Sequence, residues 1–288
     1  MNDTYINPLS DIFMLYLLGK EENADLLLDF INSVLLDADF DVVKEAKVKN
    51  PFNIKNFKYD KSTVLDVKAV DENNRVYNIE VQIIGNEIFA NRSLYYWAKL
   101  YSGQLRSSKK FDTLKPVICI NLLGFNLFKE VNHIHNCFVL TERRDPELVL
   151  TDHLQIHFIE NKKLKELASE LKSDLKIWLE FLSNEGKVTE EKMTILLKDK
   201  PILKKAHNEY DIFTKDDYMR EVYETKLKRE MDNETYYGKL IENAKKQGIE
   251  KGIERGKLED ARNFKRLGVS NAIIAQATGL SLEQIEKL

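Results

Sequence analysis

The stretch STVLDVKAVDENNRVYNIEVQIIG, residues 62–85, decides the fold, because it predicts two β-strands joined by a polar turn. Apolar and polar residues alternate with a period of two on both sides of the turn, as they do in strands with one buried face. The turn contains Asn73 and Asn74, and asparagine tolerates the backbone angles that hairpins require. We therefore expect residues 62–85 to form a β-hairpin.

This hairpin brings two acidic side chains together. Asp66 and Glu80 each lie seven residues from Asn73, so the turn places them at one level, on adjacent strands and on one face. Gln82 returns to that face two residues after Glu80. Like charges opposite each other destabilise a sheet, and a divalent cation between them would remove that cost. A solvent-exposed polar strand is the alternative, and the spacing alone favours it.

The composition is that of a soluble globular protein. Of its residues 43% are hydrophobic and 32% are charged, and the net charge is −3. The length of 288 residues allows one main domain and a smaller one. No apolar run approaches membrane-spanning length, and residues 1–10 lack the basic and apolar regions of a signal peptide, so we expect neither a membrane span nor a signal peptide. Cys119 and Cys137 are isolated in the sequence, which indicates a reducing compartment, so we expect a cytoplasmic protein.

Helical and strand patterns surround the hairpin. Helices are predicted over residues 9–18, 21–36 and 86–105, and strands over residues 41–48, 115–122, 137–142 and 154–160. The buried stripe of the helix 86–105 is predicted to consist of Leu94, Ala98, Tyr101 and Leu105. The order helix, strand, hairpin, helix, strand predicts an α/β domain whose sheet carries helices on its faces.

From residue 161 onward the pattern is helical. Helices are predicted over residues 164–182, 190–200, 215–231 and 236–266. The last of these contains Gly248, Gly252 and Gly256, and each glycine weakens a helix by about 1 kcal/mol relative to alanine. We expect this helix to gain stability by pairing in a homo-oligomer, although a flexible linker fits the same residues.

The C-terminal segment, residues 267–288, resembles a small helix-turn-helix. A packing or oligomerisation unit and a DNA-binding unit are both compatible with it. The predicted domains are therefore residues 1–160, a helical extension over residues 161–235, and a C-terminal unit over residues 236–288.

Asp66 followed by Glu80-Val81-Gln82 resembles the PD-(D/E)XK nuclease signature, with Gln82 at the usual lysine position and Leu65 in place of the proline. More specifically, the chain is similar to the Rpn recombination-promoting nucleases, also called PD-(D/E)XK nuclease family transposases. The glycine-spaced helix and the TGLS ending contribute to this likeness. The other residues that carry it are Asp11, Asp60-Lys61, Leu65-Asp66-Val67, Ile79-Glu80-Val81-Gln82, Arg92, Tyr95-Tyr96-Trp97, Thr151-Asp152 and Phe158-Ile159-Glu160.

The resemblance implies a restriction-endonuclease-like αβββαβ core, a mixed sheet flanked by helices, with an all-helical C-terminal region. It also implies a Mg²⁺-dependent DNA endonuclease of little sequence specificity, linked to recombination or to mobile elements. Asp66 and Glu80 would bind Mg²⁺, or Mn²⁺ or Ca²⁺, with the main-chain carbonyl of Val81 as a further ligand. Gln82 would take the place of the catalytic lysine, and Asp11 would be an accessory acid.

Glutamine carries no positive charge, so either the metal ions supply that charge or Arg92 approaches the phosphate. Arg92, Lys99 and Arg106 share one side of the helix 86–105. They are predicted to contact DNA phosphates, with a solvated helix face as the alternative.

Two other interpretations of the protein stay open: a catalytically inactive DNA-binding or assembly protein derived from a transposase-like nuclease, and an enzyme that acts on RNA. The motif HIHNC, residues 133–137, lacks the second ligand pair of a zinc site and is interpreted as part of a strand.

Overall fold

The computed structural model describes residues 5–51, 66–105, 110–187 and 190–288. Leu65, Asp60-Lys61 and Arg106 lie outside these ranges. The chain divides into two compact units, residues 1–224 and 225–288. The division into three parts at residues 160 and 235 stays a prediction.

The described residues form one mixed six-stranded sheet with the strand order β1-β2-β3-β4-β6-β5. The β3–β4 and β4–β6 pairs are parallel, whereas β1–β2, β2–β3 and β5–β6 are antiparallel. The strands are β1 (Lys47–Val48), β2 (Val67–Val70), β3 (Val76–Gln82), β4 (Val117–Leu123), β5 (His135–Thr141) and β6 (Val149–Glu160).

The helices of the first unit precede the sheet, cross between β3 and β4, and follow β6. They are α1 (Asp11–Leu18), α2 (Ala24–Asp37), α3 (Ile88–Ser102), α4 (Leu164–Leu167), α5 (Ser173–Asn184), α6 (Glu190–Asp199) and α7 (Leu203–Lys215). The predicted order of helix, strand, hairpin, helix and strand is confirmed, and with it the α/β fold class.

Over the described residues 66–85 the hairpin forms as predicted, with Val67 opposite Ile79, while residues 62–65 of the prediction lie outside the described ranges. Asn74 adopts a φ of 60°, as the turn requires. Asp71 Oδ1 accepts hydrogen bonds of 2.9 Å from the backbone N–H groups of both Asn73 and Arg75. The turn is therefore fixed by a side chain that follows the first strand as well as by its asparagines.

The two faces of the sheet are buried by different helices. On one face, Tyr77, Ile79 and Val81 of β3 are buried, and α1 packs against this strand. On the other face, Phe89 of α3 joins a cluster with Val117, Cys119, Leu123, Leu154, Ile156 and Phe158. The side chains of Glu80 and Gln82 lie on this α3 face, because Gln82 pairs with Leu123 of the cluster and residues two apart on a strand point the same way. Asp66 lies level with Glu80 across the hairpin and shares that face.

The predicted buried stripe of α3 is only partly correct, since Tyr101 packs against the sheet cluster but Ala98 is exposed. Leu94 is 50% exposed, whereas Phe89 and Ser93 are the buried residues and Trp97 packs against the sheet cluster. Trp97 Nε1 donates a hydrogen bond of 3.0 Å to the carbonyl oxygen of Val117 on β4. The helix is rotated from the expected orientation because this aromatic face, rather than the Leu94 stripe, fits the sheet.

Other elements also differ from the predictions. The first strand contains two residues, Lys47–Val48, instead of residues 41–48, and α7 was not predicted as a separate helix. The predicted helix 164–182 is broken between α4 and α5, where Lys172 N–H donates to Asp37 Oδ1 at 2.7 Å. The tie to the end of α2 holds this backbone in an extended form at Lys172.

The second unit is helical. It contains most of the 50-residue helix α8 (Asp217–Arg266), into which two predicted helices merge, and the short helices α9 (Asn271–Thr278) and α10 (Leu282–Glu286). Gly279 ends α9 with a φ of 71°, and Ser281 and Gln284 form a capping box at α10. A small core of Ala261, Ile274, Leu280 and Ile285 holds these helices together.

None of the helices in the described ranges combines the length and apolar character needed to cross a membrane.

A buried ion pair fixes the end of β6. Glu160 is fully buried, and its Oε2 lies 2.7 Å from Lys163 Nζ. Lys163 Nζ also donates to the carbonyl oxygens of Phe128, Val131 and His133, while Glu160 Oε1 accepts from the backbone N–H groups of Leu127 and Phe128. The pair therefore holds the connection between β4 and β5 against the sheet.

We predict that Lys163→Met destabilises the protein by about 3–5 kcal/mol, because it leaves a buried carboxylate without its cation. Urea denaturation followed by circular dichroism measures this free energy of unfolding. The neighbouring Lys162 is exposed, and Lys162→Met should change it by no more than about 0.5 kcal/mol. Equal stabilities of the two variants would contradict the prediction.

Candidate metal and phosphate site

The two acids of the hairpin lie side by side. The β2–β3 register pairs Val67 with Ile79, and its continuation by one residue brings Asp66 level with Glu80 on the α3 face. Asp66 is only 6% exposed. Burial raises the pKa of both carboxyls, and the negative charges of Asp66 and Asp11 raise that of Glu80 further. The arrangement concentrates negative charge where water is partly excluded.

Each acid is paired with one cation. Arg92 Nη2 lies 2.8 Å from Glu80 Oε1, and Lys68 Nζ lies 3.4 Å from Asp66 Oδ2. These positive charges offset part of the rise in pKa that burial causes at each carboxyl. The two cations come from different elements, since Lys68 belongs to β2 and Arg92 to α3.

Gln82 holds Arg92 in place. Its Oε1 accepts a hydrogen bond of 2.6 Å from Arg92 Nη2, and its Nε2 donates one of 2.7 Å to the carbonyl oxygen of Ile84. The guanidinium carbon of Arg92 also lies 4.5 Å from the centre of the Phe89 ring. A positive group therefore stands beside Glu80 although residue 82 is neutral.

Asn50 was missed by the sequence analysis. Its Nδ2 donates a hydrogen bond of 2.8 Å to the carbonyl oxygen of Asp66, and its Oδ1 accepts one of 2.7 Å from the backbone N–H of Lys68. The side-chain amide of Asn50 thus continues the β1–β2 hydrogen bonding beyond the short strand β1, and it fixes the backbone between Asp66 and Lys68. An asparagine before Pro51 indicates only a turn, so no sequence signal identifies this role.

The carboxylates suit a hard divalent cation. Asp66 Oδ1 is buried and has no hydrogen-bond partner among the described residues, and such an acceptor is satisfied by a cation or a water. In the described ranges no group of three or more His, Cys, Asp and Glu side chains has a metal-binding arrangement. A cation that takes one or two carboxylates and keeps several waters, as Mg²⁺ does, fits this donor set.

The remaining predicted site residues are placed as follows. Asp11 is the first residue of α1, and its charge raises the pKa of Glu80. Val81 buries its side chain on the opposite face of the sheet. Lys99 is exposed and lies about 10 Å further along α3 than Arg92. The structure thus brings Asp66, Glu80, Gln82 and Arg92 together, but not Lys99.

The strand interpretation of the HIHNC motif is confirmed, because β5 begins at His135. His135 Nδ1 lies 2.7 Å from Asp37 Oδ2, and its Nε2 lies 2.9 Å from His157 Nδ1. Burial lowers the pKa of His157 well below its ordinary value. These side chains connect β5, β6 and the end of α2.

The family described as PD-(D/E)XK nuclease family transposase matches residues 8–239 of the chain. The match covers more than half of the chain, and the protein therefore belongs to the PD-(D/E)XK nuclease family transposases. PD-(D/E)XK nucleases generally use divalent metal ions, and a nuclease family implies a DNA substrate. Comparison with curated proteins and with solved structures gives no match.

We predict that Arg92→Ala raises the pKa of Glu80. The substitution removes the guanidinium that lowers this pKa, whereas burial and the charges of Asp66 and Asp11, which raise it, remain. Side-chain carboxyl ¹³C shifts measured across a pH titration give the value, with Glu80→Gln to assign the resonance. Lys99→Ala, on the same helix, should leave the pKa unchanged, and a fall in the Arg92 variant would disprove the electrostatic account.

Proposed function

We propose that the protein is a Mg²⁺-dependent endonuclease that hydrolyses the phosphodiester bonds of DNA with little sequence specificity. The observation that carries this proposal is the pair of acids at one level of the hairpin, the buried Asp66 and the partly buried Glu80, with a cation beside each. Membership of a nuclease and transposase family supports the same reaction and favours a role in recombination or mobile-element movement.

The proposed roles combine the contacts of Gln82 and Arg92 with the roles that the family resemblance implies for the other residues. Asp66 and Glu80, with the main-chain carbonyl of Val81, would hold the cation, with Asp11 as an accessory acid. A bound Mg²⁺ supplies charge neutralisation at the phosphate and lowers the pKa of a coordinated water. Gln82 keeps Arg92 beside Glu80, where the guanidinium offsets the negative charge of that carboxylate.

Hydrolysis itself exchanges two bonds at phosphorus. A bond forms between the water oxygen and phosphorus, and the bond between phosphorus and one sugar oxygen breaks. One proton of the water ends on the released sugar oxygen, and the other on the new phosphate monoester or in solvent. No sequence-reading side chain is needed for this reaction, because all contacts are made to the backbone of the nucleic acid.

We predict that Asp66→Asn and Glu80→Gln each lower the rate of plasmid nicking in Mg²⁺ by at least ~100-fold, or about 3 kcal/mol of transition-state stabilisation. Glu147→Gln, at an exposed position of the β5–β6 hairpin, is the matched control and should cut like the wild type. Wild-type cutting by both site variants would refute the assignment.

The same variants should be at least as stable as the wild type. Because the folded-state pKa of each acid is raised, the charged form costs folding free energy at neutral pH, and a neutral amide removes that cost. A variant that loses nicking activity but keeps the wild-type melting temperature has therefore lost a catalytic group and not its fold.

Chelation by EDTA should stop cutting, and added Mg²⁺ or Mn²⁺ should restore it. DNA binding without cutting in any cation would favour the inactive, DNA-binding alternative, and preference for labelled RNA over duplex DNA would favour the RNA enzyme.

We further propose that the protein self-associates through its C-terminal helices. Along α8 the side chains of Tyr237, Ile241, Ile249 and Ile253 are exposed. A Cβ added at Gly248, Gly252 or Gly256 would meet nothing within 4 Å. Apolar side chains beside open backbone favour close contact with a second helix.

Sedimentation velocity over a range of concentrations is expected to show a dimer or larger species for the full chain, and a shift towards monomer for Ile241→Glu. Lys239→Glu changes charge on the opposite side of α8 and should leave the association unchanged. A wild type that stays monomeric at every concentration would exclude self-association.

A further inference from the structure

A second cation lies on the hairpin face, at a position outside the acidic signature. Lys68 follows Asp66 by two residues and therefore shares its face of the sheet. Its Nζ is 3.4 Å from Asp66 Oδ2, and its side chain is 37% exposed. An ammonium group carries three donors, so a single contact with Asp66 leaves others that can turn towards a ligand.

The surroundings of Lys68 contain two unsatisfied acceptors. Asn78 is the cross-strand partner of Lys68. The Oδ1 atoms of Asn78 and Asp66 are both buried and have no hydrogen-bond partner within the described ranges. Buried acceptors without donors cost about 1–3 kcal/mol each. Asp66 and Asn78 therefore leave two acceptors near Lys68 that a water or a ligand can satisfy.

The backbone that carries Lys68 is held on both sides. On one side, Asn50 Oδ1 accepts from the N–H of Lys68 at 2.7 Å. The N–H of Lys49 donates to the carbonyl oxygen of Lys68, also at 2.7 Å, and so extends the β1–β2 pairing by one residue. On the other side, β2 pairs with β3. The position of the Lys68 Cα is therefore fixed relative to Asp66, and its side chain is the part that can move.

Arg92 is held differently. Its guanidinium contacts Glu80, Gln82 and the Phe89 ring at once, so a move towards a phosphate would break several contacts. Lys68 would lose one contact of 3.4 Å for the same move. Of these two cations, Lys68 is the one whose side chain can follow a substrate.

We propose that Lys68 is the positively charged catalytic residue of this site, and that its ammonium contacts the phosphate at which the bond is cut. The nuclease signature places this charge at residue 82, where this chain has a glutamine. The inference rests on the proposed nuclease function and extends it by assigning the charge to β2. Arg92 then acts as a positioning residue for Glu80.

The test replaces the lysine and then restores its charge chemically. Lys68→Cys should lower the kcat of plasmid nicking at least ~100-fold. Its KM and its Ca²⁺-supported DNA binding, measured by fluorescence anisotropy, should stay close to those of the wild type. Treatment with 2-bromoethylamine places an ammonium on the new thiol and should regain a large part of the lost rate. Iodoacetamide, which adds a neutral group, should regain none.

Matched controls are Lys162→Cys, at an exposed position after β6 and treated in the same way, and Lys68→Arg. The Lys162 variant should cut like the wild type before and after either reagent. Lys68→Arg keeps the charge and should retain much of the wild-type kcat, with an unchanged melting temperature.

The outcomes separate this inference from the proposed function. A wild type that cuts together with a Lys68→Cys variant that cuts equally well would overturn the role of Lys68 alone. Weaker DNA binding with an unchanged kcat would do the same, since it makes Lys68 a binding residue. Absence of cutting by the wild type in every cation would overturn both proposals.

Discussion

The pairing of Asp66 and Glu80 each with its own cation is the interaction on which the site depends. Two carboxylates at one level of a hairpin repel each other, and burial adds to the cost of their charges. Lys68 and Arg92 offset that cost from opposite sides, one from β2 and one from α3. The site is therefore complete only when the hairpin and the crossover helix are packed together.

The topology of the sheet enforces that packing. Because β3 and β4 are parallel, the chain must cross over between them, and α3 is the crossover. Trp97 bonds the backbone of β4, and Ser93 accepts from Asn121 Nδ2 at 2.9 Å. The helix that connects these two parallel strands thus also places Arg92 beside Glu80.

The sequence was sufficient for the features that depend on near neighbours. The alternation along the hairpin and the turn at Asn74 predicted the register and hence the pairing of Asp66 with Glu80. The orientation of α3 was not predictable, because an aromatic-rich helix has more than one apolar stripe and the sheet selects between them. The contacts of Asn50 and Lys163 were not predicted from the sequence for a related reason. Their partners include backbone groups that are distant in the sequence and become neighbours only in the folded chain.

The unsatisfied oxygen of Asp66 has a thermodynamic consequence. Folding leaves a buried acceptor without a donor in the described part of the chain and holds two acids with raised pKa values. A ligand that satisfies these groups binds the folded state and not the unfolded chain, so it shifts the folding equilibrium as its occupancy rises. For the proposed cation, the melting temperature of the protein would therefore rise with cation concentration in the absence of any substrate.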